Sequence, residues 1–390
     1  MKKMISALLI TVMAFSLLAG CTTPEAADPA PPTGSVAPTP SVSAPAVSDK
    51  VEEVTSRIVV DDTGREIEVP AEIDRIVIMS TMPLASVYCM AGGDPDKLVG
   101  LTPSSKNAAV TSFLNRVADL EDVSTAFAQG ETVNVEELMN LEPDVVFYNT
   151  GAPADVTAVE KLETLGIPCV GFSTAIESTI ETVNTWATQI GQVLGTEMQA
   201  GEIVAYGKEV EKMVMDRVST IPEAERRSAL ILTNYTSASI IAAGSTFGRY
   251  WLATIGADNV AIGIEPKVSP VSLEQIYEWD PDVIFLNSFS AFTAEDVANG
   301  TAVPGHDWTG LTAVQNGEFY KMPLGMYYWF PPCSDSPLSL QWMAQKLYPE
   351  LFEDLDMDAE IKDFFQRFYG VTLTDEDLNT LYNPPAESAM

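Results

Sequence analysis

The chain carries 55 acidic against 21 basic side chains in 390 residues, a formal charge of −34. That balance argues against nucleic acid, whose phosphates need clustered Lys and Arg, and against attachment to an anionic membrane through a basic patch. A single histidine, His306, excludes sites built on two or more imidazoles, while 46% hydrophobic residues leave ample material for a core.

In chain order, Met1-Lys2-Lys3 precedes an apolar run from Met4 to Leu18. The run is shorter than the ~20 residues of a spanning helix, so residues 1–20 read as a secretory signal. Leu18-Ala19-Gly20-Cys21 resembles a bacterial lipobox, a signal whose cysteine becomes the mature N-terminus and carries lipid. Loss of Lys2 and Lys3 would take the charge from −34 to about −36, so the acidity belongs to the exported body. Residues 21–56, rich in Pro and Ala with little bulk, read as an extended tether. The three later cysteines, Cys89, Cys169 and Cys333, match no metal spacing and read as small buried hydrophobes.

The body opens with two strand-like runs around Asp61-Asp62-Thr63-Gly64-Arg65, a hairpin signature. Ile76–Met79 is a continuous apolar run of the kind found in buried parallel strands, and helix-like and strand-like segments then alternate. An internal repeat is the most informative feature. Val133-Asn134-Val135-Glu136-Glu137-Leu138 and Pro143-Asp144-Val145-Val146-Phe147-Tyr148-Asn149 return, without a gap, as Val271-Ser272-Leu273-Glu274-Gln275-Ile276 and Pro281-Asp282-Val283-Ile284-Phe285-Leu286-Asn287. A second echo pairs Ala91-Gly92-Gly93-Asp94 with Ile255-Gly256-Ala257-Asp258. Two similar α/β lobes are therefore expected at 57–175 and 226–345. Residues 176–225 would supply linking helices, and 346–390 a helical segment and tail. Thr196-x-x-Gln199 has the form of a capping box opening a long connector that runs to Ser219.

In this order, the lipobox, the hairpin, both Glu…Pro-Asp-Val blocks and the linking helix resemble a class III substrate-binding lipoprotein. So do Trp342–Glu350 and Phe368–Thr374. Such proteins serve ABC importers of iron-siderophore complexes, haem and cobalamin. The resemblance implies two α/β lobes joined by a single long helix, with ligand in the cleft between them and no intrinsic cofactor. It implies a monomer held at the extracytoplasmic face of the membrane by its lipid, delivering to a permease dimer with ATPase subunits. It also implies that Glu136 and Glu274, one per lobe, dock on the permease, where two separated carboxylates can pair with arginines of a two-fold partner.

Ligands of open α/β sheets sit beyond the carboxyl ends of strands, which selects Thr81, Met82, Asn149 and Thr150 in the first lobe. Asn234, Tyr235, Ser288 and Phe289 are their counterparts in the second. Met326-Tyr327-Tyr328-Trp329-Phe330 is the densest aromatic cluster. Four consecutive aromatics are not expected all to point inward on a loop, so Tyr327, Tyr328 and Trp329 are candidates to face a planar or hydrophobic ligand. Arg249, in a glycine-bearing loop entering a helix, could hold a carboxylate, catecholate or oxyanion. His306 could supply one axial ligand to a haem or corrinoid metal, but more simply is an ordinary loop residue.

The expected ligand is thus a chelated metal: ferric siderophore, haem or cobalamin. A molybdate-like oxyanion is the alternative. An enzyme on the same scaffold finds no support, since the chain has no phosphate loop, nucleophile elbow or paired metal-ligand motif.

Overall fold

The computed structural model describes residues 55–80, 83–130, 132–175, 177–264 and 269–390. The signal, Cys21, most of the tether, and the candidates Thr81 and Met82 lie outside the described residues.

A hairpin of β1 (Ser56–Val60) and β2 (Glu66–Pro70) opens the body. Its turn is locked by Asp61, whose Oδ1 accepts from the backbone N–H groups of Thr63 and Arg65 at 2.9 and 3.1 Å, with Gly64 at φ 78°. The first lobe follows as β3 (Ile76–Ile78), α1 (Leu84–Met90), β4 (Leu98–Leu101) and α2 (Pro103–Thr111). A short pair, β5 (Ala128–Gln129) and β6 (Thr132–Val133), leads to α3 (Val135–Met139), β7 (Val145–Asn149), α4 (Pro153–Thr164) and β8 (Cys169–Phe172). Its sheet is parallel in the order β4-β3-β7-β8.

Two helices connect the lobes: α5 (Thr179–Leu194), closed by Gly195 in the left-handed region, and α6 (Glu197–Val218). At 22 residues, α6 is a rod of ~33 Å. The expected capping box at its start does not form. The side chains of Thr196 and Gln199 instead donate to the carbonyls of Ala91 and Met90, at 2.7 Å each. Those carbonyls stand at the end of α1, where no intrahelical partner exists, so the connector satisfies another helix's terminus.

The second lobe contains β9 (Ser228–Tyr235), β10 (Ile240–Ala242), α7 (Phe247–Thr254), β11 (Asp258–Asn259) and β12 (Ser269–Val271). After them come α8 (Leu273–Trp279), β13 (Val283–Leu286), α9 (Ala294–Ala298), α10 (Thr312–Gln315) and β14 (Phe319–Lys321). Its parallel strands run β11-β9-β13-β14, the same order as the first lobe, with β10 and β12 added as antiparallel strands beyond β9.

The sequence repeat has a physical explanation at each position. Asp144 Oδ2 accepts from the backbone N–H groups of Asp74 and Arg75 at 2.8 and 2.9 Å, fixing the entry to β3. Asp282 Oδ2 does the same for β9 by accepting from the N–H and hydroxyl of Ser228, both at 2.8 Å. Glu142 and Asp280 are the non-glycine residues with positive φ among the described residues, at 47° and 40°. Each precedes the repeat's proline, where right-handed helical geometry is disfavoured and the chain must turn into a strand. Asn149 and Asn287 end their strands by accepting, through Oδ1, from the N–H two residues on.

Side chains alternate across both sheets. Ile76, Ile78, Val145, Phe147, Ala229, Ile231, Val283 and Phe285 join one core shared with α5, α6 and the later helices. Their neighbours Val77, Val146, Leu230 and Ile284 fill each lobe's own outer core. The remaining helices are α11 (Ser336–Leu347), α12 (Met357–Tyr369) and α13 (Asp375–Tyr382). They return to the first lobe: Tyr369 donates to the Ser86 carbonyl at 3.1 Å, Phe113 meets Phe365 edge-on, and Arg116 pairs with Asp377. Tyr206 on α6 donates to Glu360 at 2.6 Å, so connector and later helices are tied together.

Candidate functional site

Where the lobes meet, α2 of the first lobe faces the loop 322–335 of the second. The Phe113 N–H donates to the Gly325 carbonyl at 2.9 Å, and Ser112 Oγ donates to the Met326 carbonyl at 3.0 Å. The hydroxyls of Thr111 and Tyr328 stand 3.3 Å apart. Ala108, Leu324, Tyr327, Tyr328 and Cys333 form a single apolar cluster with Phe289 packed against it. Phe289 and Tyr328 meet edge-on at 4.7 Å.

The structure corrects the expectation that some of the aromatic run must be exposed. Tyr327, Tyr328 and Trp329 are all buried. The cause is Asp335, fully buried beneath the loop. Its Oδ2 accepts from the Met326 N–H at 2.7 Å and from the Trp329 indole N–H at 3.0 Å, and Oδ1 accepts from the Ser334 hydroxyl at 2.9 Å. With its backbone satisfied from within, the loop can turn every aromatic inward. Trp329 goes to the main core against Trp342 and away from the interlobe cluster. Burial pushes the Asp335 carboxyl up to about 6 despite these donors.

Tyr327 differs from its neighbours: its hydroxyl is buried with no hydrogen-bond partner among the described residues. A buried hydroxyl left unpaired costs roughly 1–3 kcal/mol, so the position is set up for a polar partner. Tyr328 is satisfied, donating to the Ser388 carbonyl, and the Met390 N–H donates to the Phe289 carbonyl at 3.3 Å. Residues 386–390 thus lie against the interlobe cluster.

The other candidates disperse. Tyr235 belongs to β9, not to a following loop, and is buried in the second lobe's outer core. Its hydroxyl lies 2.9 Å from His306 Nδ1 and accepts from the Trp308 indole N–H at 3.2 Å. Both Tyr235 and His306 are therefore committed to each other, and neither joins the cluster. Asn234 pairs in register with Ile241 inside the sheet, and buried Ser288 donates to the Pro323 carbonyl at 3.3 Å. Asn149 and Thr150 stand half-buried at the carboxyl end of β7, and Thr150 N–H donates to the Phe172 carbonyl at 3.1 Å. Arg249 is exposed in the first turn of α7 and forms no ion pair among the described residues. Its helix touches the cluster's neighbourhood through Trp251, which donates to the Phe330 carbonyl at 2.7 Å.

Glu136 and Glu274 are exposed in the first turns of α3 and α8, whose starts are capped by Asn134 and Ser272. The Glu274 carboxyl is held below its usual range by its own backbone N–H, then by the Ser272 hydroxyl and the His306 ring. Cys89, Cys169 and Cys333 are free, the last two buried; burial pushes the Cys89 and Cys169 thiols up to about 12.

Ala108, Thr111, Ser112 and Asp335 were missed by sequence reasoning. The α2 residues carry no motif. Asp335 could have been suspected as the one acid in the run from Met322 to Leu347.

Comparison with known proteins places these features in context. The periplasmic binding protein family model matches residues 76–324. The molybdate-binding protein MolA of Haemophilus influenzae is 25% identical over 337 residues, 81% of this chain and 92% of that one. The Fe(3+)-citrate-binding protein YfmC of Bacillus subtilis is 22% identical over 301 residues, 77% of this chain and 89% of that one. A solved periplasmic solute binding protein from Veillonella parvula superposes with a TM-score of 0.77 at 30% identity, covering 84% of this chain and 97% of that one.

Proposed function

Because the chain belongs to the periplasmic binding protein family, we propose that it is the solute receptor of an ABC importer and that its cleft takes a compact metal oxyanion of the molybdate class. The Tyr327 hydroxyl carries this reading. It is a buried donor, unpaired among the described residues, in an apolar cluster formed by both lobes. An oxyanion would accept from it in a site of low dielectric, where a charge-assisted hydrogen bond is strong. The hydrogen bonds from Phe113 and Ser112 to the 322–335 loop hold the lobes together at the cluster, leaving little room for a porphyrin or corrin. A relative that binds molybdate and matches four-fifths of this chain supports the same choice.

A ferric chelate is the second reading. It is favoured by the aromatic faces of Phe289 and Tyr328 and by a relative that binds ferric citrate. It requires the lobes to part, because the bridging hydrogen bonds of Phe113, Ser112 and Thr111 close the cleft. Either ligand arrives as an anion or a chelate, which accords with a site without imidazole.

The receptor is held outside the cytoplasmic membrane by lipid on Cys21. It presents Glu136 and Glu274, at equivalent places on the two lobes, to a permease dimer whose ATPase subunits drive import. The test of the ligand is calorimetric titration of molybdate, ferric citrate, haem and cobalamin against the mature chain and its Tyr327→Phe variant. Molybdate is expected to bind tightly, with a loss of roughly 10- to 100-fold in the variant, the worth of one hydrogen bond to a charged group. Molybdate binding that ignores the substitution, or tight binding of a chelate alone, overturns the oxyanion reading.

A further inference from the structure

A second cavity, of about 680 Å³, lies outside the cleft, beside the edge strand β14 and against α11 and the start of α12. Its wall includes Lys321, Tyr320, Trp342 and Lys346. Lys321 is only 8% exposed, yet among the described residues it donates no hydrogen bond and forms no ion pair. Asp296 is the acid that acts on it, from beyond ion-pair distance, and its Oδ2 accepts from the N–H and hydroxyl of Thr293 at 3.0 and 2.7 Å. Beside Lys321, the rings of Tyr320 and Trp342 meet edge-on at 6.1 Å and make an aromatic corner, with Lys346 Nζ 5.2 Å from the Tyr320 centroid. A mostly buried lysine whose ammonium opens only onto a cavity is poorly solvated, and an incoming anion can supply the partner it lacks.

The rim narrows the choice of anion. Glu295, Asp356 and Asp358 line the same cavity. Asp356 and Asp358 are tied to the Ala359 N–H and the Tyr382 hydroxyl at 3.1 and 2.9 Å. These acids would repel a ligand carrying negative charge at both ends. The wall thus carries two ammonium groups, Lys321 and Lys346, against three acids, so each negative charge beyond the first meets a net acidic wall.

We propose that this cavity is a binding site, distinct from the cleft, for an organic monocarboxylate with an aromatic or apolar body. Its carboxylate would sit on the Lys321 ammonium and its body in the Tyr320–Trp342 corner. The inference does not depend on which solute the cleft carries. Burial lowers the Lys321 amine to about 8, so the charge that holds the carboxylate is present at pH 7 and largely gone at pH 9.

Benzoate is the probe, titrated against the mature chain by calorimetry and by ligand-observed NMR, with saturating molybdate present to fill the cleft. Saturable binding is expected, weakening by about tenfold or more in Lys321→Met. It should also weaken in the unaltered chain as pH rises from 7 to 9, with phosphate and citrate failing to compete at equal concentration. Should Lys321→Met not fold, the pH dependence of the unaltered chain decides. Absence of saturable binding, equal affinity in the variant, affinity constant across that pH range, or displacement by phosphate overturns the proposal.

Discussion

Replacing Asp335 by Asn isolates the group that turns the aromatic loop inward. In the folded chain its carboxylate accepts from Met326, Trp329 and Ser334. An Asn can keep the first two through its carbonyl oxygen while the Ser334 hydroxyl rotates to accept, so the variant is expected to fold. The folded-state pKa is raised, from 3.8 to about 6. A proton therefore binds the folded chain more tightly than the unfolded one. The favourable contribution is full below the unfolded value and is lost as pH climbs through the folded one. A difference of about two pKa units corresponds to about 3 kcal/mol in total. Most of that falls between pH 4 and 7. Urea unfolding of both proteins across that range measures it directly. The stability of the unaltered chain relative to Asp335→Asn is expected to fall by about 2–3 kcal/mol from pH 4 to pH 7, then level off. Parallel profiles, or a relative gain for the unaltered chain as pH rises, would refute the assignment of Asp335 as a buried carboxylate whose charge is maintained against its surroundings.

Other expectations follow from the same geometry. A Cβ added at Gly325 would lie 2.0 Å from Asp335 Oδ2, so Gly325→Ala should cost about 1–3 kcal/mol by overpacking, seen as a lower Tm. An unchanged Tm would mean that the loop is looser than its hydrogen bonds imply. Charge reversal at both Glu136 and Glu274, exposed on equivalent helices, should abolish uptake in cells while leaving ligand affinity unchanged; affinity lost with uptake would argue against docking. Truncation after Asn383 removes the acceptor for Tyr328 and the contact at Phe289, and stopped-flow association of ligand should quicken several-fold. An unaltered rate would place residues 384–390 off the entry path.

Much of the architecture is legible in the sequence because the repeat encodes backbone necessities. Asp144 and Asp282 pin the first strand of each lobe, and Glu142 and Asp280 make the turn that each following proline demands. Gly92 and Gly256, paired in the second echo, both adopt the left-handed conformation just after a helix, at φ 88° and 73°. Such requirements are local and leave residue-level marks. The site is less legible because it depends on what packs across the lobes. Nothing local distinguishes Ala108 or Ser112 from other helix residues, and only the approach of loop 322–335 gives them a role. Tyr235 failed as a cleft candidate because β9 extends past the apolar run that marks its start, carrying the side chain into the core. Trp329 failed for a related reason: one buried acid redirected the whole aromatic loop.

The most direct measurement is anomalous X-ray diffraction at the molybdenum edge from crystals of the mature chain grown with molybdate. Capture in the cleft predicts one strong anomalous peak between α2 and loop 322–335, with an oxyanion oxygen within hydrogen-bond reach of the Tyr327 hydroxyl. A peak elsewhere on the molecule, or none between the lobes, contradicts it.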